Sequence, residues 1–203
     1  MDLRTFVKPE RAAPSPPPAI GDVAPALSDA PPAQGRARLV AFLRHVGCPF
    51  AEVTVRELDA ISLRHPAVQF IAVSQGTPAA TRQWCARLRI GYGVTIVDDP
   101  DGRLYVAWGL GLTSLGHFLG WRSVCGAMSL AVRGIHNRHP SGSRWQSAGT
   151  FAVDAAGIVR WRHLPVHAGD LPDLAAALRA LEPATSAPRS RASHGDGGLL
   201  ELR

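Results

Sequence analysis

The sequence predicts an α/β fold in which helices flank one mixed β-sheet. Three observations support this prediction. Apolar strand patterns alternate with amphipathic helix patterns between residues 39 and 97, as in parallel β-α-β units. Two later strand patterns flank a short turn, which indicates a β-hairpin. A last amphipathic helix pattern closes the folded part of the chain, which we expect to span residues 19–182.

The first two strands and the helix between them have clear patterns. Leu39–Leu43 and Val68–Val73 are continuous apolar runs, which are typical of strands covered on both faces. Glu52–Arg64 places its apolar residues at helical spacing, so that they form one stripe. We therefore predict strand, helix and strand in that order.

The next helix and strand have recognisable boundaries. Thr77 and Pro78 suit the N-cap and the first turn of a helix, and Gly91 suits its end. A short third strand is predicted at Gly93–Val97, and residues 98–102 have the composition of a turn.

The hairpin and the closing helix complete the predicted fold. Phe151–Val153 and Ile158–Trp161 flank the turn at residues 154–157. The closing helix starts at about Asp170, and its predicted buried stripe is Leu171, Leu174, Leu178 and Leu181. A β-α-β-α unit followed by a hairpin and a helix is the thioredoxin arrangement. Right-handed crossovers put the strand at 39–43 in the centre of the sheet, with Cys48 at its carboxyl end, where open sheets keep their sites.

Three segments fall outside this minimal fold. Residues 1–18 are rich in proline and predict a disordered lead, and residues 183–203 predict a disordered tail. An insert at about 111–147 carries four arginines, three histidines and no acidic residue, and Ser123–Ile135 within it has a helical pattern. The insert therefore holds most of the excess positive charge.

Composition excludes several classes of function. The net charge of +6 comes almost wholly from arginine, and no basic helix interleaved with aromatic residues predicts a nucleic-acid partner. The apolar stretch at Leu104–Trp121 is interrupted by glycines and His117, so no membrane span is expected. The N-terminus lacks a signal-peptide pattern, and three cysteines are too few for a disulfide scaffold. We expect a cytoplasmic, reducing location.

Cys48 is the main candidate for catalysis. It lies between a predicted strand and a predicted helix, where unpaired N–H groups and the helix dipole favour thiolate over thiol. Arg44 could add positive charge. Ala51 occupies the place of a second cysteine in a Cys-x-x-Cys pair. Cys85 is therefore a candidate resolving thiol, with Cys125 as the other internal possibility.

Several stretches, in order along the chain, resemble one family. They are Gly21-Asp22-Val23-Ala24-Pro25, Val40–Cys48, Ile71–Gly76, Trp84-Cys85, Val97–Tyr105 and Gln146–Asp154. Together they are similar to the peroxiredoxin-like proteins of the AhpC/TSA type, a branch that includes the selenoprotein U relatives. The resemblance covers about 19–182 and implies a thioredoxin-like fold, a peroxide or disulfide substrate, and an external thiol reductant such as glutathione or thioredoxin.

The chain departs from the peroxiredoxin pattern at four positions. Ala41 and His45 replace the proline and the hydroxyl residue that precede the peroxidatic cysteine in typical members. Ala148 stands at the position of a family arginine, and Ala51 at that of a second cysteine. The resemblance thus implies peroxide reduction by one nucleophile, Cys48, whose sulfenic acid another thiol must reduce.

The sequence is also compatible with two other functions. Residues 48–52 also resemble the single-thiol site of omega-class glutathione transferases and monothiol glutaredoxins, which implies a glutathione-linked thioltransferase. Pro49, Phe50, Gly149 and Thr150 are then the candidate substrate-binding residues. The third possibility is a catalytically silent thioredoxin-like binding module. Histidines at 136, 139, 163 and 167 do not have zinc-ligand spacing, so no metal and no cofactor are expected.

Overall fold

The computed structural model describes residues 14–113, 134–135 and 141–182. Within them, five strands form one sheet in the order β3-β2-β1-β4-β5. The strands are β1 (Ala37–Phe42), β2 (Val68–Ser74), β3 (Val94–Asp98), β4 (Gly149–Val153) and β5 (Val159–His163). The helices are α1 (Pro49–Ser62), α2 (Pro78–Leu88), α3 (Arg103–Ala107) and α4 (Leu174–Leu181).

The sheet is mixed, with β1 at its centre. β1 runs parallel to β2, and β2 runs parallel to β3, so the carboxyl ends of these three strands lie at one edge. β4 is antiparallel to both β1 and β5. This confirms the predicted thioredoxin-like arrangement and the central position of the strand that precedes Cys48.

The two faces of the sheet are buried in separate cores. Leu39 and Ala41 of β1 point to the face that α1, α2 and α4 cover. Val40 and Phe42 point to the opposite face, where α3 and the Trp108 ring pack. Because successive side chains of a strand alternate between faces, the continuous apolar run of β1 follows from burial on both sides. Helices on both faces therefore hold the end of β1.

The long helices begin and end close to their predicted limits. α1 starts at Pro49, three residues earlier than expected, because proline suits the first helical position. α2 has Thr77 as N-cap, with the Thr77 side chain accepting from Ala80 N–H, as predicted. It ends at Leu88, where Arg89 caps it with a left-handed φ of 56°, and does not extend to Gly91. The Gly91 N–H instead donates to Asp59 Oδ1 at 3.0 Å.

Helix α3 was not predicted, because the composition of residues 98–102 indicated only a turn. The Asp99 carboxylate accepts hydrogen bonds from the N–H groups of Arg103, Leu104 and Tyr105 at 2.9, 2.8 and 3.2 Å. A short helix is stabilised when its unpaired N–H groups find such a partner. Asp99 therefore converts the turn into a helix start.

Helix α4 starts later than predicted. Asp173 is its N-cap and accepts from Ala176 N–H at 2.9 Å. Pro172 directly precedes this cap, so the helix cannot include Leu171. The prediction that Leu171 belongs to the buried stripe was wrong, since it is 36% exposed, whereas Leu174 is 1% exposed.

The segments outside the minimal fold are described in part. Residues 14–18, which composition assigned to the lead, pack on the domain: Arg162 Nη1 donates to the Pro17 and Pro18 carbonyls at 3.0 and 2.8 Å. Gly109 has a φ of +73°, and a Cβ there would lie 2.4 Å from the Pro17 nitrogen. Residues 1–13, Cys125, most of the helix predicted at 123–135, and the tail at 183–203 lie outside the described residues. No described helix is long and apolar enough to cross a bilayer.

Candidate active site

Cys48 lies just beyond the carboxyl end of β1. Its N–H donates to the His45 carbonyl at 3.2 Å, which closes a turn between the strand and α1. Gly47 occupies this turn with a φ of +86°, a conformation that favours glycine. Because α1 begins at Pro49, Cys48 is the N-cap residue of that helix, and its carbonyl accepts from Glu52 N–H at 3.0 Å.

The first turn of α1 presents its N–H groups, and also the buried Glu52 carboxylate, at the end of the helix that Cys48 caps. Cys48 makes no side-chain cap hydrogen bond, so its sulfur does not satisfy the N–H groups of the first turn. Those groups and the helix dipole stabilise a negative charge at this end. The Cys48 side chain is 2% exposed and belongs to the core on the α1 face of the sheet. The Cys48 sulfur therefore lies at the positive end of a helix dipole and is shielded from bulk water.

Two arginines lie beside this turn. Arg44 is 8% exposed, and its Nη2 donates to the Arg144 carbonyl at 3.1 Å. Burial and the nearby Arg44 cation lower the pKa of Arg144, and a negative charge on Cys48 acts in the opposite direction. Arg144 is therefore within electrostatic reach of the Cys48 sulfur, and the insert supplies a cation to the site.

His45 is buried between these charges. Its Nδ1 lies 2.9 Å from the Val46 carbonyl oxygen. Burial, and to a smaller extent the Arg44 and Arg144 cations, lower the pKa of His45 to about 3, although the hydrogen bond to Val46 opposes this shift. At neutral pH the imidazole is therefore uncharged, so it adds no further positive charge next to Cys48.

A cavity opens beside the first turn of α1. Arg44, Phe50 and Thr150, three of the residues that the sequence singled out, contribute to its walls. Asp170 and Leu171, from the loop before α4, close the other side. Cys48 lies in the adjacent turn and is not part of the wall. The cavity is small, with a volume of about 30 Å³, which is room for a water molecule or two.

Gly149 and Pro49 are adjacent to the cavity. Gly149 is the first residue of β4 and pairs with Phe42 of β1. A Cβ at Gly149 would lie 2.8 Å from Leu110 Cδ2 and 3.1 Å from the Phe151 ring, so the close packing under β4 favours glycine there. Pro49 lies between Cys48 and the cavity-lining Phe50.

Cys85 has a different environment from Cys48. It lies on α2, half-buried, and burial together with the Asp98 charge raises the pKa of its thiol to about 11. Asp98 ends β3, which is two strands away from β1, a separation of about 10 Å at the usual strand spacing. The structure does not bring Cys85 into the cavity or to the arginines beside Cys48.

The end of the insert is attached directly over the site. Val46 and Ser141 exchange two backbone hydrogen bonds of 3.2 and 3.3 Å. Gln75 Nε2 donates to Gln146 Oε1 at 3.2 Å, and Gln75 Oε1 accepts from Ser143 N–H at 2.8 Å. Both glutamines are almost fully buried. These contacts fix residues 141–147, and with them Arg144, against the turn that carries Cys48.

Sequence reasoning therefore missed two components of the site. His45 was noted only as a departure from a family pattern, and Arg144 only as one of four arginines in the insert. The available signal for Arg144 was the absence of any acidic residue from the insert, which indicated that its arginines contact residues outside the insert. No sequence signal identified which of the four arginines would reach Cys48.

The fold and the site define a class of protein: a thioredoxin-like domain with a cysteine at the helix end of its central strand. The family model for the AhpC/TSA antioxidant enzymes matches residues 56–167, which is more than half of the chain. The chain therefore belongs to the AhpC/TSA antioxidant enzyme family. The match begins after Cys48, so the role of that residue depends on its geometry. A comparison with curated proteins by sequence found no match.

Solved structures agree with the fold. The chain is similar to a thiol peroxidase from Chromobacterium violaceum, with a TM-score of 0.59 and 15% identity over 83% of this chain and 89% of the other. It is also similar to a peroxiredoxin-like protein from Aquifex aeolicus, with a TM-score of 0.57 and 16% identity over 82% and 88% of the two chains. At this level of identity the likeness shows a shared fold, and it confirms the predicted resemblance to peroxiredoxin-like proteins.

Proposed function

We propose that this protein reduces peroxides through a single nucleophilic cysteine, Cys48, which an external thiol then regenerates. The observation that carries the proposal is the position of Cys48 as N-cap of α1, with Arg44 and Arg144 beside it. Helix N–H groups and cations both stabilise a thiolate, which is the reactive form of cysteine. Membership in an antioxidant enzyme family supports the same chemistry.

The first step consumes the peroxide. The Cys48 thiolate attacks the nearer peroxide oxygen, an S–O bond forms, and the O–O bond breaks. The leaving oxygen departs as an alkoxide or hydroxide and takes up a proton from solvent. Cys48 is oxidised to a sulfenic acid, and the peroxide is reduced to an alcohol or water. Arg44 and Arg144 stabilise the negative charge that moves from sulfur to the leaving oxygen.

The second step needs a thiol from outside the described residues. Cys85 supports an internal route poorly, because the raised pKa of its thiol keeps it protonated and it lies on the β3 side of the sheet. An external thiol instead attacks the sulfenic sulfur, releases water and forms a mixed disulfide. A second thiol then breaks this disulfide, so two thiols are oxidised for each peroxide reduced. A reducing compartment such as the cytoplasm would supply them.

Brief peroxide treatment followed by sulfenic-acid trapping and mass spectrometry tests the proposal. We expect the adduct on Cys48 in the wild type and in Cys85→Ser, and its loss in Cys48→Ser. Peroxide consumption with added thiol should follow the same pattern. An unmodified Cys48 in the folded wild-type protein would refute the proposal and would favour a silent binding module. Thioltransferase activity without peroxide turnover would favour the glutathione-linked alternative.

A further inference from the structure

We infer that Gln75 is a positioning residue of the proposed reaction, because it holds both arginines of the site beside Cys48. This inference builds on the proposed function, since it names a residue that acts on Cys48 through its neighbours. It depends on a series of hydrogen bonds that joins the end of β2 to the end of the insert.

Gln75 directly follows β2, at the same edge of the sheet as Cys48. The carboxyl ends of the parallel strands β1 and β2 both lie at this edge, and Gln75 is 2% exposed there. The loop after β2 lies directly against the turn that carries Cys48, since a Cβ at Gly76 would lie 2.5 Å from Val46 Cγ2. Gln75 is therefore buried next to this turn.

The side-chain amide of Gln75 directs both its donor and its acceptor to the end of the insert. Gln146 Nε2 donates to two backbone carbonyls, those of Leu110 and Gly111, at 3.0 and 3.1 Å. Because a carbonyl only accepts, the Gln146 oxygen faces Gln75, whose Nε2 donates to it at 3.2 Å. Gln75 Oε1 then accepts from the Ser143 N–H at 2.8 Å. The hydrogen bonds therefore have one arrangement, and neither amide can turn over without breaking it.

These hydrogen bonds hold the backbone on which both arginines depend. Arg144 directly follows Ser143, and its carbonyl accepts from Arg44 Nη2 at 3.1 Å. The Arg144 guanidinium is also within electrostatic reach of Cys48. Movement of the backbone at Arg144 would therefore displace one cation and remove a hydrogen-bond partner of the other. Because charges stabilise a transition state best when they are held in place beforehand, loss of the Gln75 contacts weakens both cations at once.

Gly142 shows independently that the insert approaches Gln75 closely. Its φ is +95°, and a Cβ there would lie 2.9 Å from the Gln75 carbonyl oxygen and 3.1 Å from the carbonyl carbon. Both the backbone conformation and the close approach favour glycine. Ser141 adds a further attachment, because its Oγ accepts from the Thr77 N–H at 3.0 Å. The backbone after β2 and the end of the insert are therefore packed against each other around Gln75.

The first test compares Gln75→Met with Gln69→Met in the full chain. Gln69 is a matched control, because it is 5% exposed, accepts from Arg38 Nε at 3.0 Å and lies at the other end of β2. The rate of Cys48 oxidation by hydrogen peroxide is measured by rapid quenching, sulfenic-acid trapping and mass spectrometry. We expect Gln75→Met to be about tenfold slower than the wild type, as a small displacement of positioned charges allows. Gln69→Met should keep the wild-type rate, even if urea unfolding shows that both variants lose stability.

A pair of glycine variants tests the same contact from the insert and leaves the Gln75 side chain intact. In Gly142→Ala the added methyl collides with the Gln75 backbone, and because Gly142 is exposed we expect the variant to fold. Gly157→Ala is its control, since Gly157 has a similar φ of +83° but no atom within 4 Å of the added Cβ. We expect Gly142→Ala to slow the oxidation of Cys48 by about fivefold, and Gly157→Ala to leave the rate unchanged.

The Arg144→Met background tests whether Gln75 acts through the arginines. Without the Arg144 cation, Gln75→Met should slow the oxidation of Cys48 by less than about threefold, compared with about tenfold in the wild-type background. The smaller effect that is left comes from the weakened hydrogen bond to Arg44. A side chain that only stabilises the fold would have the same effect in both backgrounds.

The outcomes separate this inference from the proposed function. Equal oxidation rates in Gln75→Met and Gln69→Met, or an equal effect of Gln75→Met in both backgrounds, would overturn the positioning role while peroxide chemistry at Cys48 still stood. If Gln75→Met does not fold, equal rates in Gly142→Ala and Gly157→Ala would overturn it, and a slower Gly142→Ala would support it. Absence of sulfenic acid at Cys48 in the wild type would refute the proposed function, and the inference with it.

Discussion

Tyr105 allows a direct test of how the end of β1 is held next to the site. Its ring is fully buried, and its hydroxyl donates to the Leu43 carbonyl and lies 2.9 Å from the Val73 carbonyl. In Tyr105→Phe the Val73 carbonyl keeps a second donor, the Leu43 N–H at 2.9 Å. The Leu43 carbonyl, by contrast, loses the hydrogen bond from the tyrosine hydroxyl while it stays buried, and this lowers the free energy of unfolding by about 1–3 kcal/mol.

Urea denaturation measures this loss, and Tyr92→Phe is the matched control. Tyr92, the other tyrosine of the chain, is fully exposed. We expect Tyr105→Phe to lower the free energy of unfolding by about 2 kcal/mol, or roughly 4–8 °C in Tm, and Tyr92→Phe to leave it unchanged. If the two variants have the same stability, the hydroxyl does not hold β1 to β2 and α3 as argued. Slower oxidation of Cys48 in Tyr105→Phe would show that the same contact positions the site.

Three further predictions concern His45, Gln146 and Cys85. Burial lowers the pKa of His45 from its ordinary value of 6.5 to about 3 in the folded state. Between these two values the unfolded state binds more protons, so the free energy of unfolding falls as the pH drops. Between pH 7 and 5, His45→Asn should therefore lose about 2 kcal/mol less of its free energy of unfolding than the wild type does; urea unfolding measures this, and parallel pH profiles would contradict it. Gln146→Leu should lower the free energy of unfolding by about 1–3 kcal/mol, because buried Gln75 loses its hydrogen-bond partner. In urea unfolding, the double variant with Gln75→Leu should lose less stability than the two single variants added together, and strict additivity would contradict this. Because only the thiolate reacts with iodoacetamide, the raised pKa of Cys85 should slow its alkylation at pH 8 by about 100-fold relative to the urea-unfolded chain. Mass spectrometry measures both rates, and equal rates would show that folding does not shield this thiol.

Local patterns predicted most of the fold. The continuous apolar runs of β1 and β2 indicated burial on both faces, and the cores on the two sides of the sheet account for those runs. Thr77 and Pro78 predicted the start of α2 because capping is a short-range interaction between neighbouring residues. By contrast, α3 depends on one carboxylate, that of Asp99, accepting three N–H groups, and composition alone did not distinguish this from a turn.

The same distinction applies to the candidate site. Cys48 and Arg44 could be predicted because both lie within a few residues of a strand end and a helix start. Arg144 comes from a segment 100 residues beyond Arg44, and only packing of the insert brings it to the turn. Thr150 was singled out by resemblance, but that it lines one cavity together with Asp170 depends on how β4 and the loop before α4 meet.

The sequence by itself thus determined the order of strands and helices, the central strand and the candidate nucleophile, because each depends on periodicity or on contacts within a few residues. Only the tertiary structure decided which cations lie beside that nucleophile, that Cys85 lies on the β3 side of the sheet, and that a small cavity opens beside α1. These features depend on contacts between residues far apart in the chain. Such contacts leave no periodic pattern in a single sequence.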